Sequence, residues 1–181
     1  MNTRTLWSTV AAAAGLVFLI AMVATGALPR QRQLVRFEAK GVMQLEPDLV
    51  TRVQIHQGDR EAVLLRAPGG GWVAERGGAL PAELAKKVSL AVQFMNTAGP
   101  IRVIDAADLQ GANLRDFGLD PPALSVVLFQ GPRTVIGARF GTHNPEDTAQ
   151  YMMVDASRAL VLMSRFVGQE WESVAGGVLA R

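Results

Sequence analysis

The stretch Val53-Gln-Ile-His-Gln-Gly-Asp-Arg-Glu-Ala-Val63 decides the fold, because it has the pattern of two short strands joined by a tight turn. Within Leu49–Ile55, Val53 and Ile55 alternate with polar residues, which is typical of a half-buried strand. Gly58-Asp59 is the turn, and Ala62–Arg66 returns as the second strand. The stretch therefore predicts an antiparallel hairpin, since so short a connection cannot join parallel strands.

A second stretch, Val126-Val-Leu-Phe-Gln-Gly-Pro-Arg-Thr-Val-Ile136, can be laid over the first at a constant offset of 73 residues. Both stretches have Gln-Gly-x-Arg at the turn. The match indicates an internal duplication, with chance similarity as the alternative for so short a segment.

Each hairpin is followed by further strand-like runs and then by a helix. The first helix is expected over Pro81–Thr97, because Leu84, Val88, Ala91 and Met95 recur at helical spacing. The sequence predicts an α+β fold, with one mainly antiparallel sheet and two packed helices. The remaining elements are short strands at Trp72–Glu75, Ile101–Ile104, Tyr151–Val154 and Ala159–Met163, and a second helix with Val167, Trp171 and Val174 on one face, closed by Gly176-Gly177.

Residues Leu6–Leu28 form an uncharged, mainly apolar run of 23 positions. At ~1.5 Å per residue, a helix of this length reaches about 34 Å, enough for a hydrocarbon core of ~30 Å. The run predicts an N-terminal transmembrane anchor over residues 1–28, a juxtamembrane connector over 29–46 and an α+β domain over 47–181. Part of the connector, with Met43 among its apolar residues, is expected to pack on the domain as an edge strand.

A cleaved signal peptide is the alternative to an anchor, because Arg4 supplies a basic leader and Ala24-Thr25-Gly26 is a tolerable cleavage site. The apolar run is longer than the roughly 7 to 15 residues of a usual signal core, so the retained anchor is favoured. The short leader favours a single-pass protein of the bacterial inner membrane with its domain in the periplasm. The positive-inside rule favours the opposite orientation, since basic residues follow the run at Arg30, Arg32, Arg36 and Lys40.

The charge balance argues against nucleic acid as a partner. From residue 41 onward the chain has 13 Lys and Arg residues against 15 Asp and Glu residues, so its net positive charge comes from the two flanks of the apolar run. The chain has no cysteine. That excludes disulfides, thiol catalysis and a lipid attached through cysteine.

Several framework motifs resemble the DUF4340 domain family. They are Leu49-Val-Thr-Arg-Val-Gln-Ile55, Gly70-Gly-Trp72, Phe117-Gly-Leu-Asp-Pro121, Phe140-Gly141 and Tyr151-Met-Met-Val154. The resemblance covers about residues 45–175, and it implies one N-terminal membrane helix, a bacterial envelope location and an association with ABC-type transport systems. It implies no catalytic residues, because the shared positions are glycines, prolines and aromatic residues.

The residues themselves predict no catalytic, cofactor-binding or metal site. His56 falls on the polar phase of a strand, and His143 lies in a polar loop with only Glu146 and Asp147 near it, whereas a metal needs three or four convergent ligands. The four aspartates of the next segment are expected to serve in caps and turns, and the aromatic and sulfur side chains to pack. These residues are Asp105, Asp108, Asp116 and Asp120; Trp72, Phe117 and Trp171; and Met152 and Met153.

Two functions remain open from the sequence. The first is a non-enzymatic, membrane-anchored accessory or interaction subunit of an envelope complex, whose helix could meet another membrane helix at Ala11–Ala14 and Gly15. The alternative is a small-molecule-binding or enzymatic periplasmic domain with a pocket between the two repeated segments.

Overall fold

The structure is a computed structural model that describes residues 13–18, 21 and 40–180. The chain divides into two compact units, Met1–Glu38 and Ala39–Arg181. In the first unit, residues 13–18 are helical and expose Leu16, Val17 and Phe18 by more than half of their surface. Most of the predicted anchor, Leu6–Leu28, lies outside the described residues. Within the described part, no helix is both long and apolar enough to cross a membrane.

The described part of the second unit is built on one antiparallel sheet of nine strands, in the order β4-β3-β2-β1-β6-β7-β8-β9-β5. Helix α1 spans Ala82–Thr97 and helix α2 spans Arg165–Leu179. The predicted α+β class with a mainly antiparallel sheet is confirmed. The strands are β1 (Arg52–Gln57), β2 (Arg60–Arg66), β3 (Trp72–Ala74), β4 (Gly78–Ala79), β5 (Arg102–Ile104), β6 (Leu124–Gln130), β7 (Arg133–His143), β8 (Ala149–Val154) and β9 (Ala159–Ser164).

The two predicted hairpins form and lie side by side at the centre of the sheet. In the first, Gln57 pairs with Arg60, and in the second Gln130 pairs with Arg133. The first turn residue is a glycine with positive φ in both, 57° at Gly58 and 54° at Gly131. Each hairpin leads into two further strands and a helix, so the order of four strands and one helix occurs twice, with β5 between the two halves.

The main core lies between one face of the sheet and the two helices. Val53, Ile55, Val126 and Leu128 point into it from the central strands, and Trp171 of α2 is fully buried there. Helices α1 and α2 run antiparallel and approach closely where a Cβ on Gly177 would come within 2.7 Å of a Leu84 methyl group. The predicted core positions Trp72, Val88 and Trp171 are therefore confirmed, and Leu84 packs against the core while half-buried.

A second, smaller cluster lies on the opposite face of the sheet. Met153 and Leu160 of the sheet are buried there against Leu119, which belongs to the segment that joins β5 to β6. Phe117 belongs to this cluster and meets Tyr151 edge-on at 5.0 Å between ring centroids. Phe117 was predicted to pack in the domain, and it packs in this smaller cluster because its segment crosses the face of the sheet that the helices leave open.

The structure also differs from three predictions about local elements. The segment expected to begin the first strand starts instead as a 3-10 helix over Pro47–Leu49. Residues 40–46, the described end of the connector, pack on the domain and form no strand. Gly41 and Met43 donate backbone hydrogen bonds to carbonyl groups at the end of α1, and Met43 is buried. Gly176-Gly177 does not end α2, which continues to Leu179 because Val178 still packs on the core.

Candidate functional site

A ring of four ionisable side chains lies where the end of β7 meets the start of α2. His143 Nδ1 is 3.1 Å from Asp147 Oδ1, and His143 Nε2 is 3.8 Å from Glu172 Oε1. Arg165 connects the same carboxylates, with Nε 3.4 Å from Asp147 Oδ1 and Nη1 3.3 Å from Glu172 Oε2. This ion ring joins the last residue of β7 and the β7–β8 turn to the first two turns of α2.

A buried amide supports the ion ring from below. Gln150 is 1% exposed, and its Nε2 donates to Gly141 O at 3.0 Å and to Glu172 Oε1 at 3.2 Å. Because both partners are acceptors, the amide orientation is defined by its hydrogen bonds. A Cβ on Gly168 would overlap this amide, so α2 reaches the sheet here only because residue 168 is glycine.

The ion ring has the geometry of a structural network. An imidazole paired with a carboxylate can act as a general base when its second nitrogen faces a substrate. His143 Nε2 is instead buried and faces Glu172, while Arg165 already supplies a cation to both carboxylates. Across residues 13–18, 21 and 40–180, no group of three or more histidine, cysteine, aspartate and glutamate side chains is placed to hold a metal ion.

The sequence identified only part of this ring. It placed His143 beside Asp147, but Arg165 and Glu172 come from a helix that begins some twenty residues further along the chain. Their seven-residue spacing, two helical turns, is the signal that places both on one face of α2. Glu146, the other predicted neighbour of His143, instead accepts a hydrogen bond from Asn144 Nδ2 at 2.8 Å.

The other polar candidates lie apart from the ion ring. His56 Nε2 is 4.0 Å from Glu61 Oε1 across the β1–β2 hairpin. Asp120 pairs with Arg115 at 3.7 Å, in keeping with the turn role predicted for it. The cap of the 3-10 helix at Leu114–Phe117 is provided by Asn113, whose Oδ1 accepts from Arg115 N at 3.2 Å, and not by one of the predicted aspartates.

The two methionines take opposite faces of β8, as the alternation of a strand predicts. Met152 lies in the main core, and Met153 lies in the smaller cluster. The Arg139 guanidinium donates from Nη2 to Met153 Sδ at 3.1 Å and from Nε to Asp155 Oδ1 at 2.8 Å. These contacts give Met153 a packing role.

Exposed apolar side chains gather where the connector meets the domain. Ile101 is 60% exposed, Val103 52% and Phe166 47%, and Leu90 of α1 is also exposed. Phe166 meets Phe94 edge-on at 4.9 Å, and Ile101 N donates to Leu162 O at 2.8 Å. We call Ile101, Val103 and Phe166 the connector-side patch.

A cleft of about 660 Å³ opens between the two halves of the domain. One wall comes from the first half, at β2 and at β3 with the segment after it, and the other from the last turn of α2. Ala62, Ala74 and Val178 supply apolar lining, and the charged lining residues are balanced, with Arg60 and Arg76 against Glu61 and Glu75. The volume lies within the range of sites that bind small molecules.

Comparison of the chain with protein-family models, with curated proteins and with solved structures finds no match.

Proposed function

We propose that the protein is a membrane-anchored, non-enzymatic accessory subunit that holds a membrane-protein partner in the bacterial envelope. The observation that carries the proposal is the helical segment at residues 13–18, where Leu16, Val17 and Phe18 stay largely exposed. Exposed contiguous apolar side chains are stable in lipid or against another protein. The uncharged run Leu6–Leu28 around this segment is long enough to span a bilayer.

The partner would be contacted by the anchor, on the face that carries its small residues. A Cβ added to Gly15 would meet no other atom within 4 Å, so a second helix has room to approach. Close approach at small residues is a common basis of helix association in membranes. Resemblance to the DUF4340 family supports an envelope complex, with an ABC-type transport system as the proposed setting.

The repeated order of four strands and one helix supports an internal duplication in the domain. The sequence offset of 73 residues makes Val127 the counterpart of Gln54, and these two residues pair directly across the β1–β6 ladder. The two halves would then be related by an approximate two-fold axis through that pair, with β2 flanking β1 as β7 flanks β6.

The proposed orientation puts residues 40–181 in the periplasm. Ala156 is exposed in the β8–β9 turn, and the chain has no cysteine of its own, so an Ala156→Cys variant carries a single thiol. A membrane-impermeant thiol reagent is expected to label this variant in intact spheroplasts. Labelling that occurs only after lysis would place the domain in the cytoplasm and overturn the orientation.

Exchange of the anchor tests the function itself. Replacing residues 1–28 by an unrelated transmembrane helix of the same orientation is expected to reduce both recovery of the partner from mild detergent and cellular function. A matched control keeps the native helix and replaces Arg133, an exposed residue at the tip of the second hairpin, by glutamine. Full partner recovery after the exchange would contradict a contact through the anchor.

The cleft between the two halves favours a second candidate, a small-molecule-binding periplasmic domain. Its apolar lining, with two arginines and two glutamates, suits a ligand with an apolar body and polar groups that can pair with charges of either sign. A small molecule that copurifies with the native protein and is lost from an Ala74→Trp variant, with no partner protein recovered, would favour this candidate over the accessory subunit.

A further inference from the structure

The connector-side patch is the region through which the domain is attached to the rest of the chain. Gly41 N donates to Asn96 O at 2.8 Å, and a Cβ on Gly99 would lie 3.2 Å from Lys40 O. Lys40 thus lies beside Gly99, just after the end of α1. Ile101 follows Gly99 by two residues, and Phe166 packs on Phe94 in the last turn of α1, so both exposed side chains lie near this attachment point.

The patch faces the same side of the sheet as the helices. Val103 pairs with Val161, a residue of the main core. Ile101 precedes β5 and continues its ladder through a hydrogen bond to Leu162 O, so it lies two positions before Val103 on the same face. Arg102 lies on the other face of β5, which is the free edge of the sheet. Its long side chain can reach around this edge towards the apolar side chains. Lys40 and Arg102 are both exposed, so the apolar side chains are flanked by cations.

The length of chain before Lys40 limits how far this region can lie from a bilayer. Eleven residues lie between Leu28, the end of the apolar run, and Lys40, and even a fully extended chain between the two spans only about 40 Å. Arg30, Arg32 and Arg36 lie in the same segment. A tether this short keeps the attached surface at an effective concentration in the millimolar range near the bilayer, so weak lipid affinity suffices for contact.

From this geometry we infer that the connector-side patch rests on the anionic head-group surface of the membrane. Ile101, Val103 and Phe166 enter the interfacial layer, and Lys40 and Arg102 meet lipid phosphates at its border. Apolar side chains bordered by Lys and Arg are the composition that binds anionic interfaces. The inference rests on the anchoring proposed above, and it fixes which face of the domain is turned to the lipid and which stays free.

Site-specific fluorescence tests the contact in the whole chain. Single Ile101→Cys and Phe166→Cys variants, each labelled with an environment-sensitive fluorophore, are reconstituted in nanodiscs of phosphatidylcholine and phosphatidylglycerol that contain a head-group-proximal nitroxide lipid. Ala156→Cys, at the opposite end of β9 from Leu162, is the control site. Both patch labels are expected to emit at shorter wavelength and to be quenched several-fold more than the control label.

Charge reversal separates lipid contact from a general polarity effect. In the Ile101→Cys background, Lys40→Glu with Arg102→Glu is expected to lower the quenching severalfold, whereas Arg133→Glu, far from the patch in the second hairpin, leaves it unchanged. Equal quenching at residues 101 and 156 in protein that has entered the nanodiscs would overturn the inference and leave the anchor intact. Protein that fails to enter nanodiscs would overturn the anchor and this inference together.

Discussion

Replacing Trp171 by alanine is expected to lower the free energy of unfolding by about 3 to 5 kcal/mol, a large share of the 5 to 15 kcal/mol typical of a domain. Trp171 is fully buried between α2 and the sheet, and it is among the largest side chains of the main core. Removing the indole leaves a cavity that neighbours on a rigid sheet cannot fill. Urea unfolding of the purified protein, followed by circular dichroism, measures the loss.

The same helix provides a control for this prediction. Phe166 is 47% exposed and has one aromatic neighbour, Phe94, so Phe166→Ala is expected to cost only about 1 kcal/mol. The loss of unfolding free energy for Trp171→Phe should lie between the losses for Phe166→Ala and Trp171→Ala. Phenylalanine keeps most of the apolar volume, and Trp171 Nε1 has no hydrogen-bond partner within the described structure. An unfolding midpoint of Trp171→Ala equal to that of the parent would contradict the burial of this side chain.

Substituting alanine for Gly141 is expected to destabilise the domain by about 1 to 3 kcal/mol, through steric conflict and not through lost contacts. A Cβ at this position would overlap Phe117 O and come within 3.1 Å of Leu119 Cγ. Backbone cannot yield as a flexible side chain does, so the segment between β5 and β6 would be lifted from the sheet. Protease sensitivity within residues 105–122 should rise together with the loss of stability.

Gly176→Ala is the matched control for Gly141→Ala and should have the opposite sign. Gly176 lies inside α2, and an added Cβ would meet no atom within 4 Å. Alanine there is expected to stabilise the helix by up to about 1 kcal/mol, because glycine is a poor helix former. If both substitutions were neutral, the close packing of Phe117 and Leu119 on β7 would be contradicted.

Local patterns were sufficient to predict eight of the nine described strands, the helices α1 and α2 and part of the main core, whereas β4 was not predicted. Val53 and Ile55 alternate in a strand whose one face is buried, and Val88 and Trp171 lie on the inner faces of their helices. Phe117 could be predicted to pack because it is apolar, but the sequence does not show which face of the sheet its segment crosses. That choice depends on contacts with Gly141, Tyr151 and other residues far along the chain.

The ion ring shows the same limit for polar residues. Asp147 could be placed near His143 because only four residues separate them, but Glu172 reaches the imidazole only after β8 and β9 have returned the chain to the same end of the sheet. Neither Gly168 nor Gln150 indicates this site when read alone in the sequence. The glycine is explained by the Gln150 amide that packs against it, and that contact is visible only in the structure. To predict pairs of residues so far apart, one must know which strands pair and in which register, and a single sequence does not show this.

The placement of β1 beside β6 has a consequence for how the domain is made. The two strands form the centre of the sheet, yet their pairing joins residues about 70 positions apart. Strand β5 likewise pairs only with β9, which is made much later. Contacts of such long range slow folding, because a large loop is closed before they contribute. During synthesis the first half emerges with one edge of β1 and the whole of β5 unpaired, so a chaperone that shields strand edges would act there until the C-terminal half arrives.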